Sequence, residues 1–121
     1  MTLRILVADD DDGIREVLKV MLKEYEVFEA TDGVEAVNLY KAARPDVVFM
    51  DIFMPRLDGI EATKEIIKID PNAVIIGITA FARSKKEEML KAGAKDVIEK
   101  PFTRKKLKEV INRYVAKKVE C

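Results

Sequence analysis

The chain has no histidine, no tryptophan and no glutamine, and its single cysteine is Cys121. Without histidine it cannot run Ser-His-Asp or Cys-His catalysis, build a His-ligated zinc site or make a phosphohistidine of its own. One cysteine excludes an internal disulfide. No apolar leader pattern follows the opening Met-Thr-Leu-Arg, so the expected compartment is the cytoplasm. Long hydrophobic runs are missing too. The longest, Ala73 to Ala82, is about ten residues and contains Thr79, too short to span a bilayer. Nor is there an excess of either charge, with 22 Lys+Arg against 22 Asp+Glu. That balance removes the general electrostatic case for nucleic acid or a membrane surface as partner. Amides are scarce, with three asparagines beside abundant Lys and Glu, a composition that leans towards a thermophilic source.

What is present is a chain of 121 residues, 49% hydrophobic and 36% charged. This suits one domain over residues 1–121 with a real core. Short apolar runs alternate with helical patterns throughout. Arg4–Ala8 reads as a strand, and Ile14, Val17, Leu18, Met21 and Leu22 then follow amphipathic-helix spacing. Glu26–Ala30 is a weaker strand. Asp32 with Glu35 forms a capping box for a helix that Pro45 stops near Ala43, and Val47–Met50 is a fully apolar strand. A second box, Asp58 with Glu61, opens a helix to about Ile69, and Asp70-Pro71-Asn72 is a turn. Val74–Thr79 is the fourth strand. Ser84 with Glu87 is expected to cap the next helix, which ends near Gly93. Val97–Glu99 is the fifth strand, and Thr103 caps a last helix facing inward through Leu107, Val110, Ile111, Tyr114 and Val115.

Five strands in strict alternation with five helices, several apolar throughout, predict an α/β fold. The strands must be covered on both faces, which means a doubly wound parallel sheet. Right-handed crossovers and five strands favour the flavodoxin-like (βα)5 order 2-1-3-4-5. In such a sheet the site lies at the carboxyl ends of the strands, near the switch point between the first and third.

The polar residues collect at that edge. The first strand runs into Asp9, Asp10, Asp11 and Asp12, the third ends at Asp51, the fourth at Thr79, and Lys100 follows the fifth. Asp12 is expected to cap the first helix, with Asp11 exposed. Asp9, Asp10 and Asp51 would share a small space, where two like charges about 4 Å apart repel by roughly 4 kcal/mol at an effective dielectric near 20. A hard divalent cation on all-oxygen ligands offsets that repulsion, and Mg²⁺ is the natural choice. An aspartate nucleophile, a metal, the Lys100 ammonium and the Thr79 hydroxyl form a set suited to phosphoryl transfer onto Asp51.

Four segments carry a resemblance over essentially the whole chain: Ile5–Asp11, Val47–Gly59, Ile75–Ala80 and Ala92–Phe102. The most specific part is the Asp-x-x-Met-Pro-x-x-Asp-Gly stretch from Asp51 to Gly59, followed by Lys100-Pro101-Phe102. In these the sequence resembles the CheY-like receiver domain of two-component response regulators. The Gly13-Ile14-Arg15 stretch looks like the single-domain receivers of sporulation-type phosphorelays. The resemblance implies that Asp51 is the phosphoacceptor and that Thr79 and Lys100 assist it. It makes Asp10, Asp51 and the backbone carbonyl of Phe53 ligands of Mg²⁺, with Mn²⁺ as a substitute ion, and has Asp9 act through water. It implies a cis peptide before Pro101. The implied partners are a sensor histidine kinase or a phosphotransfer protein, docking on the first helix and the loop after Lys100; Ile14, Leu57 and Pro101 are candidate contacts there, each with core or turn as its other reading. A downstream protein target receives the signal, and the receiver itself is a monomer and no turnover enzyme.

Two departures from the family pattern bear on behaviour. The switch aromatic three residues before the lysine is Val97, which has no ring to turn. Phe53 and Phe81 stand where many relatives carry polar groups, and neither can orient an attacking water, so slow self-dephosphorylation is expected. Rival readings fare worse. An aspartate-nucleophile phosphatase wants a second Asp where Phe53 stands, and a flavin-binding module wants a phosphate loop where four aspartates stand. A pseudo-receiver used only as a protein-binding scaffold is the alternative that the site residues themselves disfavour.

Overall fold

The computed structural model describes residues 2–80 and 82–119, with 82–84 and 116–119 in backbone only. Its elements alternate strictly: β1 (Arg4–Ala8), α1 (Asp12–Met21), β2 (Glu26–Ala30), α2 (Gly33–Ala43), β3 (Val47–Asp51), α3 (Gly59–Ile69), β4 (Ile75–Thr79), α4 (Ala82–Ala92), β5 (Asp96–Glu99) and α5 (Arg104–Val119). The five strands are all parallel and ordered β2-β1-β3-β4-β5, as the sequence predicts.

Alternation of side chains along the strands divides the core in two. Leu6, Ala8, Val48, Met50 and Ile75 face one side, where they meet Tyr40 of α2, Ile66 of α3 and Met89 of α4. Ile5, Val7, Phe49, Ile76 and Ile78 face the other, where they meet Leu18 and Leu22 of α1 and Leu107, Val110 and Ile111 of α5. Burial on both faces explains why β3 and β4 are buried at every residue.

Most helix boundaries follow the expected caps. Asp32 and Asp58 accept from the backbone N–H groups of Glu35 and Glu61, and Thr103 accepts from that of Lys106. Gly93 sits at φ +125 beyond α4, a conformation that suits glycine. Three local expectations are corrected. The cap of α1 is Asp11, whose carboxylate accepts from Gly13 and Ile14, while Asp12 is already helical. Helix α4 begins at Ala82, so Ser84 lies inside its first turn rather than capping it. Of the expected apolar face of α1, Leu18 and Leu22 are buried and Ile14 and Met21 pack against the same core, but Val17 is 45% exposed and Arg15 takes a buried place on the stripe, because the helix is turned slightly from the expected phase.

Gly59 shows how tightly the site loop is packed. A Cβ there would lie 2.1 Å from the carbonyl oxygen of Asp51, a backbone atom that cannot give way without moving β3. Gly59→Ala should therefore lower stability by more than about 2 kcal/mol, whereas Gly13→Ala, which meets only the Asp11 carboxylate, should cost far less. Denaturant titrations of the two variants check this.

Candidate functional site

Parallel pairing sets Asp51 beside Ile78 of β4 and Ala8 beside Met50 of β3, so the chain leaving β1 enters the same edge as Asp51. Asp9, Asp10 and Asp51 each place a carboxylate oxygen within 4.8 Å of the other two. Asp9 and Asp51 are buried and Asp10 is exposed. The Lys100 ammonium enters from the end of β5, 3.1 Å from Asp9 Oδ2 and 3.9 Å from Asp51 Oδ1. Its backbone N–H donates to the Thr79 carbonyl at 2.9 Å, which ties the ends of β4 and β5, and the Lys100–Pro101 peptide is cis. Thr79 is fully buried at this edge. Phe53, two residues past Asp51, is 46% exposed. Phe81 lies outside the described residues.

Among the described residues the electrostatics are unbalanced, with three carboxylates against the one ammonium of Lys100. Burial first, then repulsion from Asp9, push the Asp51 carboxyl up to about 7, while Lys100 and a hydrogen bond from the Phe53 backbone pull it the other way. A hard cation fits such an all-oxygen cluster, because it would supply the positive charge the side chains lack and leave coordination positions to water through the open Asp10 side.

The loop after Asp51 is held at several points. Gly59 N–H donates to the Ile52 carbonyl at 2.8 Å. The Leu57 carbonyl presses so closely on Gly33 that a Cβ there would be 2.0 Å away. Arg56, at φ +64, pairs with the buried Asp32 carboxylate at 2.7 Å. These contacts place Leu57 against the α2–α3 side of the core. Of the two readings open to Leu57, docking contact or core, the structure shows the core one, on the far side from the surface formed by α1 and the loop after Lys100. Ile14 and Pro101 are on that surface: with Val17, Met21, Lys100 and Phe102 they line an apolar hollow of about 430 Å³.

Val97 is buried rather than poised at the surface. It packs with Met89 around Gly77, where a Cβ would come within 2.9 Å of Met89 Cγ and 3.2 Å of Val97 Cγ2. Arg15, singled out in the sequence only as part of a motif, is the residue whose contacts were missed. Its Nη1 donates to the Asp9 carbonyl at 2.7 Å, its Nε to Glu29 at 3.1 Å and its Nη2 to Asp12. The signal was its spacing, since residues 15, 18 and 22 lie on one helical stripe and the other two are leucines.

The fold and this edge together define a receiver-type signalling domain. Residues 5–112 match the response regulator receiver domain, and the chain belongs to that family. The chemotaxis protein CheY of Thermotoga maritima is 48% identical over 114 residues, covering 91% of this chain and 95% of that protein. The CheY of Bacillus subtilis is 44% identical over 117 residues, covering 93% and 98%. The receiver domain of a Pseudomonas aeruginosa sensor histidine kinase, solved with a magnesium ion coordinated in its active-site cleft, superposes with a TM-score of 0.90 at 33% identity, covering 96% of this chain and 99% of that one. The CheX–CheY complex of Borrelia burgdorferi with BeF3 and magnesium gives a TM-score of 0.86 at 32% identity, covering 92% and 87%.

The raised Asp51 value has a consequence for stability. Its unfolded carboxyl titrates near 3.8, so between that value and about 7 the folded state holds the extra proton and stability falls as pH rises. Without metal, Asp51→Asn should melt above the wild type by several degrees at about pH 8, and the gap should close towards about pH 4. Added Mg²⁺ at the higher pH should raise the melting point of the wild type far more than that of the variant. Thermal melts by circular dichroism decide it.

Proposed function

We propose that Asp51 is the phosphoacceptor of this receiver. The observation that carries this is the convergence of a buried carboxylate, two further acidic groups and one lysine on a single sheet edge. Asp10, Asp51 and the Phe53 carbonyl would hold Mg²⁺, with Asp9 acting through water and Mn²⁺ able to replace it. Bound there, the ion supplies positive charge to the acidic cluster and to incoming phosphoryl oxygens.

In the proposed transfer a carboxylate oxygen of Asp51 attacks the phosphorus of a partner's phosphohistidine. The new P–O bond forms as the P–N bond breaks, and the imidazole leaves with the electron pair. Lys100, already within reach of Asp51, pairs with a phosphoryl oxygen, and the Thr79 hydroxyl turns to another. The product is an acyl phosphate rather than a released product, so the domain works as a phosphoacceptor and not as a turnover enzyme. The ion pair with Lys100 and the hydrogen bond from the Thr79 hydroxyl then bias the loop after β4 and the surface of α4, β5 and α5. Val97 is already buried against Met89, so this bias acts through the packing of α4 rather than through a rotating ring.

The phosphohistidine donor is a sensor histidine kinase or a phosphotransfer protein. The apolar hollow between α1 and Phe102 includes Lys100 in its wall, so a protein seated there sits next to the acceptor. A downstream protein receives the signal by contact. The balanced charge agrees with neither nucleic acid nor a membrane surface as partner, and the domain acts as a cytoplasmic monomer in this reading. No helix among the described residues is long and apolar enough to cross a membrane. The shared ion pairs of Glu29 with Arg15 and Lys19, and of Glu24 with Arg104 and Lys108, agree with a thermophilic source.

Incubation with Mg²⁺ and a small acyl phosphate should add one phosphoryl group by intact mass. The gain should vanish in Asp51→Asn and without metal, and a gain that persists in Asp51→Asn would sink the assignment. The phosphorylated form should decay over many minutes or longer, and Phe53→Asn should shorten its life, because an exposed amide can orient water where the phenyl ring cannot. Decay within seconds in the wild type would contradict the role given to Phe53.

A further inference from the structure

We propose that Arg15 is a positioning residue for the acidic edge. It locks the peptide plane between Asp9 and Asp10 and so aims the exposed Asp10 carboxylate. The proposal rests on reading the three carboxylates as a divalent-cation site.

Asp9 is held through its backbone N–H, its carbonyl and both carboxylate oxygens. Its N–H donates to the Ala30 carbonyl at 3.1 Å. Its Oδ1 accepts from the Asp11 N–H at 2.9 Å and its Oδ2 from Lys100 at 3.1 Å. Its carbonyl accepts from Arg15 Nη1 at 2.7 Å, a buried contact. Asp10, by contrast, is exposed. Packing cannot hold its side chain, so its direction is set by the backbone that leads into it. That backbone turns at the peptide whose carbonyl Arg15 holds.

The guanidinium is suited to the task because it is planar and carries five donors in a fixed fork. Here the fork is anchored from three sides: the end of β1 through Asp9, the carboxyl end of β2 through Glu29, and the first turn of α1 through Asp12. Its side chain is only 11% exposed. A lysine could keep the charge but could not make three contacts in one plane. Groups that orient ligands from behind commonly change metal affinity when removed.

Electrostatics and positioning predict opposite results, which makes the idea testable. A cation beside the carboxylates repels Mg²⁺, so on charge alone Arg15→Gln should bind the ion more tightly and Arg15→Lys should match the wild type. On positioning, both variants should bind it more weakly, by roughly tenfold. Calorimetric titration of the intact protein with MgCl₂, well below each variant's melting point, measures this. The rate of phosphorylation by a small acyl phosphate should then recover as Mg²⁺ is raised to saturation. If Arg15→Gln does not fold, Arg15→Lys carries the test alone. Wild-type affinity in Arg15→Lys, or tighter binding in Arg15→Gln, would overturn the proposal and leave Arg15 as a staple between α1 and the sheet. A wild type that binds no Mg²⁺ would overturn the cation-site reading itself, and the Arg15 proposal with it.

Discussion

Negative charge held in a small space governs this domain. Parallel pairing of β1 with β3 brings Asp9, Asp10 and Asp51 within ligand distance of one another, and one ammonium, Lys100, reaches two of them. Burial makes the imbalance costly, because a carboxylate away from water cannot spread its charge. The raised Asp51 carboxyl records that cost. A site in this condition favours anything that brings positive charge, and it has a buried carboxylate beside a lysine. The chain that carries this edge belongs to the response regulator receiver family.

The scaffold keeps that edge in place by close backbone contact more than by side-chain bulk. Gly59 and Gly33 let the loop after Asp51 press against β3 and α2 at distances no Cβ would allow. Arg56 adds an ion pair to Asp32, which also caps α2, so one carboxylate serves both the helix and the loop. On the other side of the sheet Arg15 ties α1 to the ends of β1 and β2. Its place on the buried stripe turns Val17 and Val20 outward, and this rotation leaves apolar surface on α1 next to Lys100 and Phe102. The same buried arginine thus links the geometry of the acidic edge to the shape of the neighbouring surface.

Much of this was legible in the residues alone. Apolar runs without alternation showed that the sheet is covered on both faces, and Asp32, Asp58 and Thr103 announced their helices, because a short polar side chain before an apolar repeat satisfies free backbone N–H groups. The acidic groups were legible because they end strands, and strand ends share an edge in a parallel sheet. Less legible was anything that depended on the phase of a helix or the path of a loop. Asp11 rather than Asp12 caps α1, since four consecutive aspartates offer several caps and only the backbone angle chooses among them. Leu57 could be read as a surface contact or as core, and its partial burial on the α2 side follows from a loop that folds back against Gly33.

The division has a physical cause. Element order, parallel topology and the set of groups at the carboxyl edge could be read from the residues, because they follow from local periodicity and from chain connectivity. How those groups meet was settled by packing: that Lys100 lies nearer Asp9 than Asp51, that Arg15 grips the Asp9 carbonyl, and that Val97 and Met89 both crowd Gly77. Such contacts join residues far apart in the chain at distances of a few ångströms. They depend on the packing of whole layers, which no local pattern encodes.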